Sequence, residues 1–140
     1  MIHDQYRIMV VDDEPAIAEG IADTLAVLTG HIYHPFSNAF QALDAFTAKP
    51  YSLVLTDVTM PGLSGFELME KMKIVEPGID FIVITAHKSK DVVYNSHMLG
   101  ATNILYKPLN IEELETTVHD CHRKFLIWQG HFQEVSFINQ

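Results

Sequence analysis

The chain has 140 residues, 48% hydrophobic and 19% charged, a balance that suits one globular domain and argues against wholesale disorder. Nine Lys and Arg against eighteen Asp and Glu give a formal charge of −9 with no basic cluster, so direct binding to nucleic acid is not expected. No apolar run approaches the roughly 18 residues that span a bilayer, the first residues lack the basic start and apolar stretch of a signal peptide, and the single Cys121 forms no internal disulfide, so a cytoplasmic protein without a membrane partner is expected.

Short apolar runs alternate with segments of helical period. Strands are predicted over residues 7–11, 31–36, 53–56, 81–85 and 103–106. The third and fourth, LVLT and FIVIT, are nearly continuous hydrophobics, as central parallel strands covered on both faces require. After the first strand, Pro15 suits a first helical turn, and Ile17, Ile21, Leu25 and Leu28 form a one-sided stripe. His31 and His34 flank and enter the second strand and read as surface residues. Asn38 opens a second helix carrying Ala39, Leu43 and Phe46. Ser64 with Glu67 is a capping-box pattern for a third helix whose Phe66, Met69 and Met72 point inward. A fourth helix is predicted over about 89–99, stopped by Gly100, and Asn110 with Glu113 starts a fifth. Repeated βα units with short connections imply right-handed crossovers and a doubly wound α/β domain with a parallel sheet between helices.

In such sheets function gathers beyond the carboxyl ends of the strands. Those ends supply Asp12 and Asp13 from the first strand, Asp57 from the third, Thr85 from the fourth, and Lys107 with Pro108 from the fifth. Three carboxylates crowded together repel, so the site calls for a divalent cation or a raised pKa. Oxygen-only ligands favour a hard ion, Mg²⁺ or Mn²⁺. A carboxylate beside such an ion is a competent nucleophile towards a phosphoryl group, and that transfer needs charge stabilisation more than covalent help. Lys107 suits phosphoryl oxygens as a compact cation, and the Thr85 hydroxyl is a hydrogen-bond donor.

Four motifs carry a resemblance: VVDDEP at 10–15, LVLTDVTMPGLSG at 53–65, IVITA at 82–86 and YKP at 106–108. Together the chain resembles the receiver domain of two-component response regulators over residues 5–126. The resemblance implies a flavodoxin-like (βα)5 fold of strand order 2-1-3-4-5. It further implies a phospho-accepting signalling switch rather than an enzyme, charged from the phosphohistidine of a sensor histidine kinase or phosphotransfer protein and acting on a downstream effector or a fused output domain. By that resemblance Asp57 is the phosphoacceptor. Asp12 and Asp13 are the metal-binding acids, the Thr59 backbone carbonyl is a further metal ligand, and Thr85 and Lys107 contact the phosphoryl group. Pro108 falls where the family has a cis peptide, and His87 and Thr59 fall at positions that tune hydrolysis of the acyl phosphate. Ile104 departs from the pattern, standing where the family commonly has an aromatic ring that turns inward on activation. Tyr106 shares its strand parity and is the candidate substitute.

Two other chemistries use similar groups. A haloacid-dehalogenase-like phosphatase also combines an Asp nucleophile, Mg²⁺, a hydroxyl and a Lys, but its nucleophile lies on the first strand and its further acids follow late in the chain. A flavodoxin-like FMN module would need a Ser/Thr/Gly-rich phosphate loop after the first strand, which this sequence lacks. His119, Cys121 and His122 are metal-ligand types, yet with one cysteine and no second ligand pair a structural zinc site is not expected. Finally, Ile111, Leu114, Val118, Cys121, Phe125, Trp128, Phe132 and Val135 follow a 3-4 spacing. Residues 127–140 are therefore read as a C-terminal extension: a helical tail on the domain, a homodimer contact, or the start of a linker to an output module. Gly130 is expected to weaken a continuous helix there.

Overall fold

A computed structural model describes residues 5–138. Residues 1–4, the beginning of the segment read for a signal peptide, and 139–140, the end of the predicted extension, lie outside the described residues. Five strands, β1 (Arg7–Val11), β2 (Ile32–Phe36), β3 (Leu53–Asp57), β4 (Asp80–Thr85) and β5 (Ala101–Tyr106), form one parallel sheet ordered β2-β1-β3-β4-β5. Five helices connect and follow them: α1 (Pro15–Thr29), α2 (Ala39–Ala48), α3 (Gly65–Val75), α4 (Lys90–Met98) and α5 (Ile111–Ile138). This is the expected doubly wound fold.

Strand parity divides the core in two. Ile8, Val10, Leu53, Leu55, Ile82 and Ile84 face α1 and α5, where Leu25, Leu114 and Val118 meet them. Met9, Val11, Val54, Phe81 and Val83 face the other way, onto Phe46 of α2, Met69 and Met72 of α3 and Val92 of α4. Every residue of β3 and β4 is buried, which explains their unbroken apolar runs, whereas the edge strands β2 and β5 are only partly covered. The caps match their sequence signals. Asn38, Ser64 and Ser89 accept hydrogen bonds from the backbone N–H of Gln41, Glu67 and Val92, and the Asn110 side chain accepts from Glu113 N–H. Gly100 adopts a left-handed φ of 78° after α4.

Four expectations are corrected. Leu28 is 46% exposed, because the buried stripe of α1 runs through Ala18, Ile21, Ala22 and Leu25 and has rotated away by the last turn. Phe66 is half-buried rather than fully inward, and Leu68 takes the core position. The helix does not break at Gly130: α5 is continuous to Ile138, since a single exposed glycine costs only about 1 kcal/mol among helix-forming neighbours. Nor are His31 and His34 simple surface residues. His34 Nδ1 lies 2.8 Å from the Tyr51 hydroxyl and 3.3 Å from the Arg7 guanidinium, and Arg7 stacks over the Tyr51 ring.

At the amino ends of the strands, α5 is fastened by polar contacts. The buried Asp80 accepts hydrogen bonds from Phe81 N–H at 2.9 Å and Thr102 Oγ1 at 2.6 Å, and its second oxygen pairs with Lys124 of α5 at 3.1 Å. Burial, followed by the nearby Asp80 charge, pushes the Cys121 thiol up to about 12, which leaves it a small core residue rather than a nucleophile. Beside it His31 packs edge-on against His122, with ring centroids 4.4 Å apart, and Tyr6 and Phe125 complete the cluster. His31 Nε2 is buried without a hydrogen-bond partner among the described residues. Burial, then the neighbouring His122 and His119, lower the His31 pKa from 6.5 to about 4.

This cluster makes stability pH-dependent in a defined direction. Between about pH 6.5 and 4 the unfolded chain protonates His31 and the folded one does not. The contribution of His31 is therefore complete above pH 6.5 and lost as pH falls towards 4. His31→Phe keeps the ring packing without the proton, so its thermal midpoint should fall less than that of wild type across this window. Parallel curves for the two proteins in pH-dependent thermal unfolding would contradict the assignment.

Candidate functional site

Strand register brings the polar strand ends together. Val11 pairs with Thr56, so Asp12 and Asp57 emerge side by side from the adjacent β1 and β3. Asp57 pairs with Ile84 and Thr85 with Tyr106, which places Thr85 and Lys107 at the same rim. Asp12 and Asp57 are buried, at 2% and 7% exposure, and Asp13 is exposed. One oxygen from each of the three carboxylates lies within 4.8 Å of the others, the only such grouping of metal-ligand types found among the described residues.

Each carboxylate oxygen that is engaged has a specific partner. Asp12 Oδ1 accepts from Glu14 N–H at 3.0 Å, and Asp57 Oδ1 accepts from Thr59 N–H at 3.0 Å. Their other oxygens meet at Lys107, whose Nζ lies 2.8 Å from Asp12 Oδ2 and 2.8 Å from Asp57 Oδ2. Lys107 reaches them from β5 across β4, a span of two strand spacings, about 10 Å to the axis of β3. Burial works against the ammonium charge, but the hydrogen bonds and attraction of Asp12 and Asp57 outweigh it and raise the Lys107 pKa. The Lys107–Pro108 peptide bond is cis. Three carboxylates against one ammonium leave two formal negative charges, and an all-oxygen donor set of that charge fits a hard divalent cation.

The remaining expected residues lie around this centre. Thr85 is fully buried, and its Oγ1 accepts from His87 N–H at 3.0 Å, holding the start of the β4–α4 loop. Ile104 is half-buried against the face of the sheet that carries α2, α3 and α4. Tyr106 is also half-buried, further out, with the Lys88 ammonium 4.8 Å above its ring. Beneath them, against α4, is a cavity of about 360 Å³ that includes Ser96, whose buried hydroxyl has no partner among the described residues.

Sequence reasoning missed two parts of the site. It matched Lys107 to a phosphate contact but not to a bridge between Asp12 and Asp57, since reach across β4 depends on register. It also gave Gly65 no role. Gly65 N–H bonds the Val58 carbonyl at 3.1 Å, and a Cβ there would strike the Asp57 carbonyl oxygen and sit 2.7 Å from Val58 Cα. The glycine lets the start of α3 press directly on the backbone that carries Asp57. A glycine inside the first turn of a helix, just after a serine cap, was the available signal.

With this geometry in view, the relatives agree. A model of the response regulator receiver domain matches residues 8–119, and the chain belongs to that family. Sporulation initiation phosphotransferase F of Bacillus subtilis is 33% identical over 114 residues, covering 80% of this chain and 90% of that protein. The transcriptional regulatory protein MalR of Bacillus subtilis is 30% identical over 126 residues, 89% of this chain, which spans only 54% of MalR. Among solved structures, the beryllofluoride-activated NtrC4 receiver domain dimer superposes with a TM-score of 0.78 at 25% identity, over 85% of this chain and 98% of that one. The receiver family, a family of signalling switches rather than conventional enzymes, takes the place of the haloacid-dehalogenase-like alternative, which nothing in these relatives supports.

Gly65→Ala should lower stability by about 3 kcal/mol, because the clash is with backbone rather than with a flexible side chain. Urea unfolding measures this. A loss below about 0.5 kcal/mol, the range of neutral surface changes, would show that α3 and the Asp57 loop separate freely.

Proposed function

We propose that this receiver domain, residues 5–126, is a switch charged at Asp57 from the phosphohistidine of a sensor histidine kinase or phosphotransfer protein. An Asp57 carboxylate oxygen forms the new O–P bond as the N–P bond of the donor breaks, and the released imidazole nitrogen takes up a proton. The observation that carries this reading is the shared grip of Lys107 on Asp12 and Asp57, 2.8 Å from each. It holds an ammonium beside the nucleophile, where charge develops on the transferred group.

Each residue then has a task. Thr59 N–H orients Asp57 through Oδ1. Lys107, already in contact with Asp57 Oδ2, follows the phosphoryl oxygens and releases Asp12. The buried Thr85 hydroxyl donates to another phosphoryl oxygen, which draws on the β4–α4 loop through His87 N–H. Asp12, Asp13, Asp57 and the Thr59 carbonyl would hold Mg²⁺ or Mn²⁺, a set whose two uncompensated charges and oxygen donors suit that ion. When bound, the ion supplies charge neutralisation at the crowded acids and the phosphoryl oxygens. His87 and Thr59 flank the acyl phosphate and govern access of water to it.

Loss of the contact between Lys107 and Asp12, together with a pull on Thr85, shifts the two-state equilibrium of the β4–α4 loop and α4. With Ile104 in place of a ring, Tyr106 and Lys88 form the outward contact that responds. The readout is a downstream effector or an output module joined through residues 127–140. No helix among the described residues is long and apolar enough to cross a membrane, which is in keeping with action in the cytoplasm.

Incubation with Mg²⁺ and a small phosphodonor such as acetyl phosphate should add the mass of one phosphoryl group to wild type and nothing to Asp57→Asn. Lys107→Met should react at least about 100-fold more slowly, the scale of losing one charge-stabilising group. Intact mass spectrometry reads both, and a phosphoryl adduct on Asp57→Asn would overturn the assignment of the acceptor. The phosphorylated half-life of His87→Ala, followed in the same way, should differ from wild type. An unchanged half-life would remove His87 from the site.

A further inference from the structure

The seam that fastens α5 to the sheet continues past the domain. Leu114, Val118 and Cys121 are buried on the core. The same 3-4 spacing then runs through Phe125 to Trp128, Phe132 and Val135, which are 57%, 55% and 43% exposed. Ile127 and Ile138, at 56% and 75% exposure, widen this stripe on one side, Gln129 and Ser136 border it on the other, and Gly130 and Glu134 lie away from it. Trp128 and Phe132 also form one wall of an open groove of about 640 Å³, whose other wall is the turn at Pro77 and Gly78 between α3 and β4. The apolar face of the tail therefore does not close on its own domain.

We propose that residues 125–138 pair with the same segment of a second copy of this chain, apolar stripe to apolar stripe, with the groove beside Trp128 receiving side chains of the other tail. Three observations select this occupant. First, the segment carries a single carboxylate, Glu134, and no Lys or Arg in a chain of formal charge −9, so two copies of it meet with little like-charge repulsion. Second, a 3-4 stripe is complementary to itself across a two-fold axis, whereas an unlike protein partner would find almost no charge here to select it. Third, the exposures of Trp128, Phe132, Val135, Ile127 and Ile138 amount to roughly 500 Å² on one tail, so a pair that covered them on both would bury about 1,000 Å², the lower limit of specific interfaces. A membrane surface is disfavoured because the polar face lacks the basic residues that hold an amphipathic helix to anionic lipid. The reading does not depend on chemistry at Asp57.

Sedimentation of the 140-residue chain at micromolar concentrations, without any phosphodonor, tests it. Wild type should have the mass of two chains. Trp128→Glu combined with Phe132→Glu should have the mass of one and still unfold cooperatively, because neither side chain belongs to the core, with a thermal midpoint that no longer depends on protein concentration as that of wild type does. A control, Val27→Glu on the 86%-exposed face of α1, should remain a pair. Trp128 is the only tryptophan, so wild-type emission should move to the red on dilution, in step with the fall in mass, whatever the behaviour of the variants. Wild type with the mass of one chain, a double variant that still pairs, or emission that ignores dilution would each overturn the proposal.

Discussion

Two carboxylates are buried at the ends of adjacent strands, and one ammonium holds both. That arrangement constrains most of the molecule. Unpaired buried carboxylates would cost several kcal/mol each, so Asp12 and Asp57 require a cation within hydrogen-bond reach. Lys107 supplies it because β5 lies beyond β4 and ends level with β3 in the observed strand order and register. The sheet that sets this register is parallel and covered on both faces, which accounts for the unbroken apolar runs of β3 and β4. The balance at the site is incomplete by two negative charges. A fold that gathers such an excess of acids at one rim is suited to take up cations there, and the proposed chemistry uses that property.

The two ends of the strands have divided tasks. At the carboxyl ends the acids outnumber their lysine, and several contacts are exchangeable. At the amino ends the contacts are fixed by packing. Asp80 accepts from Phe81 N–H and Thr102 and pairs with Lys124, and the rings of Tyr6, His31, His122 and Phe125 pack together nearby. Helix α5 begins near the first end and is fixed at the second. The stable end supports the responsive one.

Much of this was legible in the sequence. Strands such as β3, helix starts such as Ser64 and the gathering of Asp12, Asp57, Thr85 and Lys107 follow from local pattern plus one topological rule. What was not legible depends on distances between elements far apart in the chain. His31 and His122 are 91 positions apart and meet only because α5 packs beside the start of β2, so His31 read as a surface residue and His122 only as a metal-ligand type without a partner set. The double contact of Lys107 spans 95 positions to Asp12 and 50 to Asp57. Leu28 and Gly130 misled for a different reason. Periodicity indicates which face is apolar but not where the neighbouring layer ends, and a propensity penalty is smaller than the cooperativity of a long helix.

The length of α5 has a mechanical consequence. Its contacts with the core end near Phe125, leaving residues 126–138 as an overhang of about 20 Å at 1.5 Å per residue. A stiff rod clamped at one end magnifies rotation at the clamp: a tilt of about 10° there carries the tip about 3 Å. Changes too small to rearrange the packing beneath the sheet would still be large displacements at the far end of this arm.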